Sequence, residues 1–249
     1  MDNTLGYELG NVGSIPAGGA NNEDNMPKLN YYKNTYDYFS QINNGHIKGL
    51  VLDYGCNYGS FLESSDTRFK QEDYTGIDID KLALEDGKKM FPKANFIHYD
   101  RFNICYNQTG AKNIWPNLDI KFNYIVSYSV ITHTDKDDMI DTIEWLYSLL
   151  LNNGKMFITY LSKHNDIAKK FFYNKRVKEY ESCDNIEIDD YVYLINNKIT
   201  KEKKLGKYFL SFYDDLYLKE LLSPYNISLH RNSKFEGGCI QDCFVIEKR

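Results

Sequence analysis

The residues able to do chemistry recur at one kind of place, just after a short apolar run. Asp53 follows Val51-Leu52 and opens Asp53-Tyr54-Gly55-Cys56-Asn57-Tyr58-Gly59. Glycines at 55 and 59 allow positive φ and close backbone approach, and Asn57 is the type of non-glycine residue that best tolerates a left-handed conformation. A helix starting at Ser60 would point N–H groups and partial positive charge at a ligand lying there. The alternative is a tight strand-to-helix turn with no ligand. Asp78 and Ile79 follow Tyr74-Thr75-Gly76-Ile77. A carboxylate at the end of a second strand can accept from both hydroxyls of a ribose. Asp80 suits the other duty open to an acid here, the N-cap of a helix over 81–90. Asp100 and Arg101 follow Asn95–Tyr99. His133, a residue type whose ordinary pKa lies near neutrality, follows the run 122–130, with Asp135 and Asp137 close enough to orient it.

Positioning these residues on one edge requires strands alternating with helices. Apolar runs at 51–54, 74–79, 95–99, 122–130 and 155–160 read as strands, and the spacing of Leu29, Tyr32, Tyr36, Phe39 and Ile42 predicts a helix over 28–42 that packs on the sheet edge. Met139, Ile140, Ile143, Leu146, Leu149 and Leu150 mark one face of a long helix whose first turn carries Asp135, Asp137 and Asp138, where the helix dipole favours negative charge. Asn153-Gly154 ends it. A helix over 212–222, a strand over 227–230 and a last strand over 239–248 complete the pattern. The alternation predicts a parallel sheet, in which ligands bind beyond the carboxyl ends of the strands.

Composition limits the classes open to such a chain. It is 42% hydrophobic and 26% charged, as expected of a globular protein able to bury a full core. The net charge of −5 disfavours nucleic acid as the main partner. Five cysteines, Cys56, Cys105, Cys183, Cys239 and Cys243, show no paired C-x-x-C spacing, so neither a disulfide framework nor a zinc site is expected, and a reducing cytoplasm fits. No run of about 18 apolar residues and no signal-peptide pattern occur, so no membrane partner is expected.

Read together, Asp53-x-Gly55-x-Asn57-x-Gly59, Asp78, Asp100 and Ser127-x-Ser129-Val130-x-x-His133 resemble the motifs of class I S-adenosylmethionine (SAM)-dependent methyltransferases. Asn57 stands where that family's middle glycine is usual, and Asn153-Gly154 where it usually has Pro-Gly-Gly. The resemblance covers about 48–160. It implies a Rossmann-like α/β fold with a mostly parallel seven-stranded sheet, an antiparallel last strand, helices on both faces and a cap inserted after the fifth strand. It implies SAM as cofactor, with S-adenosylhomocysteine as product. Asp53, Gly55, Cys56, Asn57, Gly59, Asp78, Ile79, Asp100, Arg101 and Ser127 would hold it, Asp100 meeting the adenine amine.

The acceptor implied is a hydroxyl of a small molecule or sugar from a bacterial glycan or natural-product pathway. Loss of its proton calls for a base, and His133 is the candidate. Tyr128, Tyr160 and His164 would line the acceptor pocket. Asp135, Asp137 and Asp138 have the oxygen chemistry of magnesium ligands, but consecutive acids at a helix start more often serve the dipole, so no metal is expected. Other readings are a nitrogen acceptor, a cyclisation using SAM, and a non-catalytic SAM-binding subunit. Residues 1–27, rich in Gly and Asn, read as a flexible tail or lid preceding a domain over 28–249. Residues 162–207 read as a substrate cap, whose basic piece (Lys169, Lys170, Lys175, Arg176, Lys178) suits an anionic acceptor, or as a solvated surface excursion; a hairpin is expected around 191–198.

Overall fold

The computed structural model describes residues 34–103, 106–112, 114–168, 186–188, 192–195, 210–232 and 240–249. The expectations for 1–27 and for the basic piece within 162–207 lie outside them. Strands Val51–Tyr54 (β1), Tyr74–Asp78 (β2), Asn95–His98 (β3), Phe122–Ser127 (β4) and Leu150–Ser162 (β5) pair in parallel in the order β3-β2-β1-β4-β5. Strand Ile186–Ile188 (β6), Val192–Ile195 (β7) and Leu210–Tyr213 (β8) extend the same sheet, with β8 parallel to the last residues of β5 and β7 antiparallel to both β8 and β6. Asn226–His230 (β9) and Asp242–Glu247 (β10) finish it, β10 lying antiparallel between β5 and β9. The expected seven-stranded core with its antiparallel last strand is therefore present, widened by three strands.

Period-two alternation divides the apolar residues between two faces. Leu52, Ile125, Met156, Ile158, Phe244 and Ile246 point to one side, where Met139, Ile143 and Leu146 of helix Lys136–Ser148 (α4) cover them. Val51, Val126, Phe157 and Val245 point to the other, under Tyr36 and Phe39 of helix Thr35–Ile42 (α1) and Phe61 and Leu62 of helix Ser60–Ser64 (α2). Helix α1 thus lies over the middle of the sheet and not on its edge, because Phe39 meets Phe61, Tyr128 and Phe157 with ring centroids 6.0–6.4 Å apart. Helix Lys81–Met90 (α3) is N-capped by Asp80, whose carboxylate accepts from Leu82 N and Ala83 N.

A second departure lies at 212–222. Phe212 and Tyr213 belong to β8, and the helix that follows, Asp215–Leu221 (α5), begins only after Asp214 caps it. The hydroxyl of Ser211 on β8 donates to Thr134 O, so the widened sheet abuts the segment carrying His133. Among the described residues no helix is long and apolar enough to cross a membrane.

Candidate functional site

A pocket of about 570 Å³, part of it open to solvent, lies beyond the carboxyl ends of β1 to β4. Tyr54 and Gly55 enter it from β1, Asp78 and Ile79 from β2, Tyr99, Arg101, Phe102, Asn103 and Tyr106 from the β3 side, and Ser129, Val130, His133 and Thr134 from the end of β4. Asp138 and Thr142 of α4 close it. Gly55 cannot be replaced without movement, because its φ is 75° and a Cβ would lie 2.2 Å from Val130 Cγ2.

The turn after β1 uses its own donors. Gly55 and Cys56 donate to Ile77 O (2.8 and 3.1 Å), Asn57 N to Asp78 Oδ2 (2.7 Å), Tyr58 N to Asn57 Oδ1 (2.8 Å), and Gly59 and Ser60 to Cys56 O (2.9 and 3.3 Å). The expectation that N–H groups at the start of α2 would be left for a ligand is thereby corrected as far as Ser60. Asn57 does adopt the left-handed conformation, with φ 53°.

Asp53 and Asp78 are both buried. Asp53 accepts from the Tyr74 hydroxyl at 2.7 Å and does not line the pocket. Burial pushes its carboxyl up to about 7, with the Tyr74 bond opposing and the neighbouring Asp78 adding to the rise. Asp78 lines the pocket and is pushed by burial to about 6, against the pull of backbone N–H bonds. Those bonds, from Asn57 N and Asp80 N, occupy one lone pair on each oxygen. A carboxylate has about four such positions, so two remain for a diol.

Asp100 and Arg101 part company. Asp100 is exposed, accepts from Asn107 Nδ2 at 2.8 Å and lies outside the pocket. Arg101 is buried in the pocket wall. Its guanidinium stacks on Trp115, 3.8 Å from the ring centroid, and Nη2 lies 3.4 Å from Asp138 Oδ1. Nη1 is buried with no hydrogen-bond partner among the described residues, which leaves a donor for a ligand.

His133 is buried in the pocket wall beside Asn103 and Tyr106. Its ring meets Tyr106 edge-on at 5.3 Å, and its carbonyl accepts from Asn103 Nδ2 at 3.3 Å. Asp135 caps α4 through Asp138 N, so of the acids at the start of α4 it is Asp138 that shares the pocket with His133, and its carboxyl is raised chiefly by burial. Among the described residues no group of three or more His, Cys, Asp or Glu side chains has a metal-binding arrangement.

The other sequence-derived residues lie elsewhere. Cys56 packs towards Gly76, Ser127 is fully buried, and Tyr128 sits under Phe39. Tyr160 donates to Asp215, and His164 Nε2 pairs with Asp214 at 2.9 Å. None of these five, nor Asn57 or Gly59, lines the pocket. Ser129, Asn103, Tyr106, Asp138 and Thr142 do line it and were not picked out as site residues. Ser129 carried a signal, the Ser-x-Ser run at the end of a strand. The rest come from loops and a helix without a motif.

SAM fits these residues. Asp78 keeps acceptors for a ribose, Ile79 and Phe102 offer apolar surface to a base, and Arg101 Nη1 needs an acceptor.

Comparison with known proteins agrees with this geometry. Residues 52–156 match the methyltransferase domain family. The uncharacterized protein RP028 of Rickettsia prowazekii (strain Madrid E) is 28% identical over 110 residues, 44% of this chain, and the match spans 42% of that relative's length. Among solved structures, an S-adenosylmethionine-dependent methyltransferase from Clostridium acetobutylicum ATCC 824 superposes with a TM-score of 0.53 at 15% identity, over 89% of this chain and 93% of that one. SAM-bound CalS10, an amino pentose methyltransferase of calicheamicin biosynthesis from Micromonospora echinaspora, gives 0.53 at 11% identity, over 89% and 91%. The chain has the Rossmann-like fold of these solved methyltransferases.

Proposed function

We propose that this chain is a SAM-dependent methyltransferase acting on a hydroxyl of a small molecule or sugar, with His133 as general base. The observation that carries the reading is a single pocket holding Gly55, Asp78, Ile79 and Arg101 together with His133. When bound, SAM supplies a methyl carbon activated by its cationic sulfur. Asp78 receives the ribose hydroxyls on its remaining lone pairs. Arg101 donates through Nη1 to the base, a contact the sequence reading gave to Asp100. An imidazole nitrogen of His133 takes the proton of the acceptor hydroxyl. Asn103, Tyr106 and the Ser211 bond to Thr134 hold that ring and its backbone in place.

Residues 162–207 are assigned the acceptor cap and 1–27 a lid. Support for the cap is that β8, directly after it, touches the His133 segment. An amine acceptor is the second reading, favoured by the likeness in fold to the glycopeptide N-methyltransferase MtfA. The test offers hydroxylated and aminated sugars with SAM and reads a methyl mass shift. His133→Ala should lower turnover by about 10²- to 10⁴-fold while SAM affinity stays within about two-fold. Unchanged turnover on a hydroxyl would remove His133 from the role.

A further inference from the structure

Ser129 stands on the pocket wall in a left-handed conformation, φ 61°, and is held there from outside the pocket. Its N–H donates to Thr159 Oγ1 at 2.7 Å, the Thr159 hydroxyl donates to Gln241 Oε1 at 2.6 Å, and Gln241 Nε2 donates back to Ser129 Oγ at 2.7 Å. All three residues are buried, and neither Thr159 nor Gln241 lines the pocket. The Tyr38 hydroxyl of α1 donates to Gln241 O at 2.9 Å and steadies the ring from its far side.

The ring has a direction. Ser129 Oγ receives the amide hydrogen on one lone pair, so its own hydrogen is left over, and no acceptor for it occurs among the described residues. The nearby turn has the opposite shortage, because its N–H groups from Gly55 to Ser60 are all spent within the chain. Close packing of Gly55 on Val130 sets the 129–130 segment against that turn. The Ser129 hydroxyl on this wall is therefore a donor open to an anionic group beside Gly55.

Resting on the SAM reading above, we propose that the Ser129 hydroxyl donates to the carboxylate of the methionine moiety, and that Thr159 and Gln241 are positioning residues that fix the direction of that donor. Titration calorimetry on the full chain with two probes tests it: S-adenosylhomocysteine, and 5′-methylthioadenosine, which keeps the nucleoside and lacks the amino acid. Ser129→Gly removes the hydroxyl and suits the backbone. It should weaken S-adenosylhomocysteine about ten-fold or more, the value of a hydrogen bond to a charged group, and leave methylthioadenosine unchanged. Thr159→Val should act in the same direction, and Thr159→Ser should restore affinity. Equal weakening of both probes, or unchanged S-adenosylhomocysteine affinity, overturns the proposal while sparing the SAM reading. Wild-type protein that binds neither probe overturns both.

Discussion

At the scale of single residues, Asp53 and Asp78 show how neighbours divide two similar acids. Both end parallel strands and both are buried, yet Asp78 alone lines the pocket. Asp53 instead holds Tyr74 and keeps its proton up to about 7. The sign of its effect on stability follows from that rise. An unfolded chain releases this proton near 3.8, and the folded chain retains it until about 7. Stability from the retained proton is full below the lower value and is lost as pH rises through the upper one. Asp53→Asn keeps an oxygen for Tyr74 and cannot ionise, so the melting temperature of the variant minus that of wild type should become more positive between pH 5 and pH 8. Melts at the two pH values check this, and a difference that does not change with pH would refute it. Asp100 and Arg101 teach the complementary lesson. Adjacent residues in sequence, they face apart because the loop closes on itself through the Arg101–Ala111 and Asn103–Asn107 bridges, and Asn107 takes the Asp100 carboxylate.

At the scale of elements, β1, β2, β4, β10 and the cap of α3 were legible because each rests on a local rule: buried apolar runs, a glycine turn, an acid before a helix. Strand β8 was not legible. Phe212, Tyr213, Leu216, Tyr217 and Leu221 fall at three- and four-residue spacing, which imitates a helix face, and the partners that make 210–213 a strand are residues of β5 and β7 distant in sequence. The donors spent by the turn were hidden for a similar reason, since Asn57 N is taken by a carboxylate 21 residues away. The position of β8 has a measurable consequence. Ser211 is fully buried and its hydroxyl is bound to Thr134 O, so Ser211→Ala strands that carbonyl. The cost should be about 1–3 kcal/mol in denaturant unfolding. Because Thr134 adjoins His133, turnover should fall further than affinity for S-adenosylhomocysteine. Loss of stability with unaltered turnover would show that β8 serves only the fold.

At the scale of the whole molecule, β5 is the strand on which two parts of the sheet depend. Its middle residues, 155–158, lie between β4 and β10, and its last two residues pair with β8. The seam at that end is polar. The Asp215 carboxylate accepts from the Tyr160 hydroxyl at 3.1 Å, the Ser162 hydroxyl at 2.6 Å, and Arg231 Nε and Nη2 at 3.1 and 2.6 Å. Tyr160 remains a donor at every working pH, because burial, and then the charge of Asp215, drive its phenol far above the ordinary value. One acid on α5 thereby joins β5 to the residue following β9. Asp215→Ala would leave two fully buried hydroxyls without that acceptor, at roughly 2–4 kcal/mol for the pair. The Arg231 side chain is 59% exposed and can turn to water, so its share is small. The loss should be local before it is global. Amide hydrogen exchange should rise first in β8, α5 and β9, while β1, β2 and β4, packed between α1 and α4, keep their protection. An increase spread evenly over all strands would mean that the sheet opens as one unit and that Asp215 holds no separate seam.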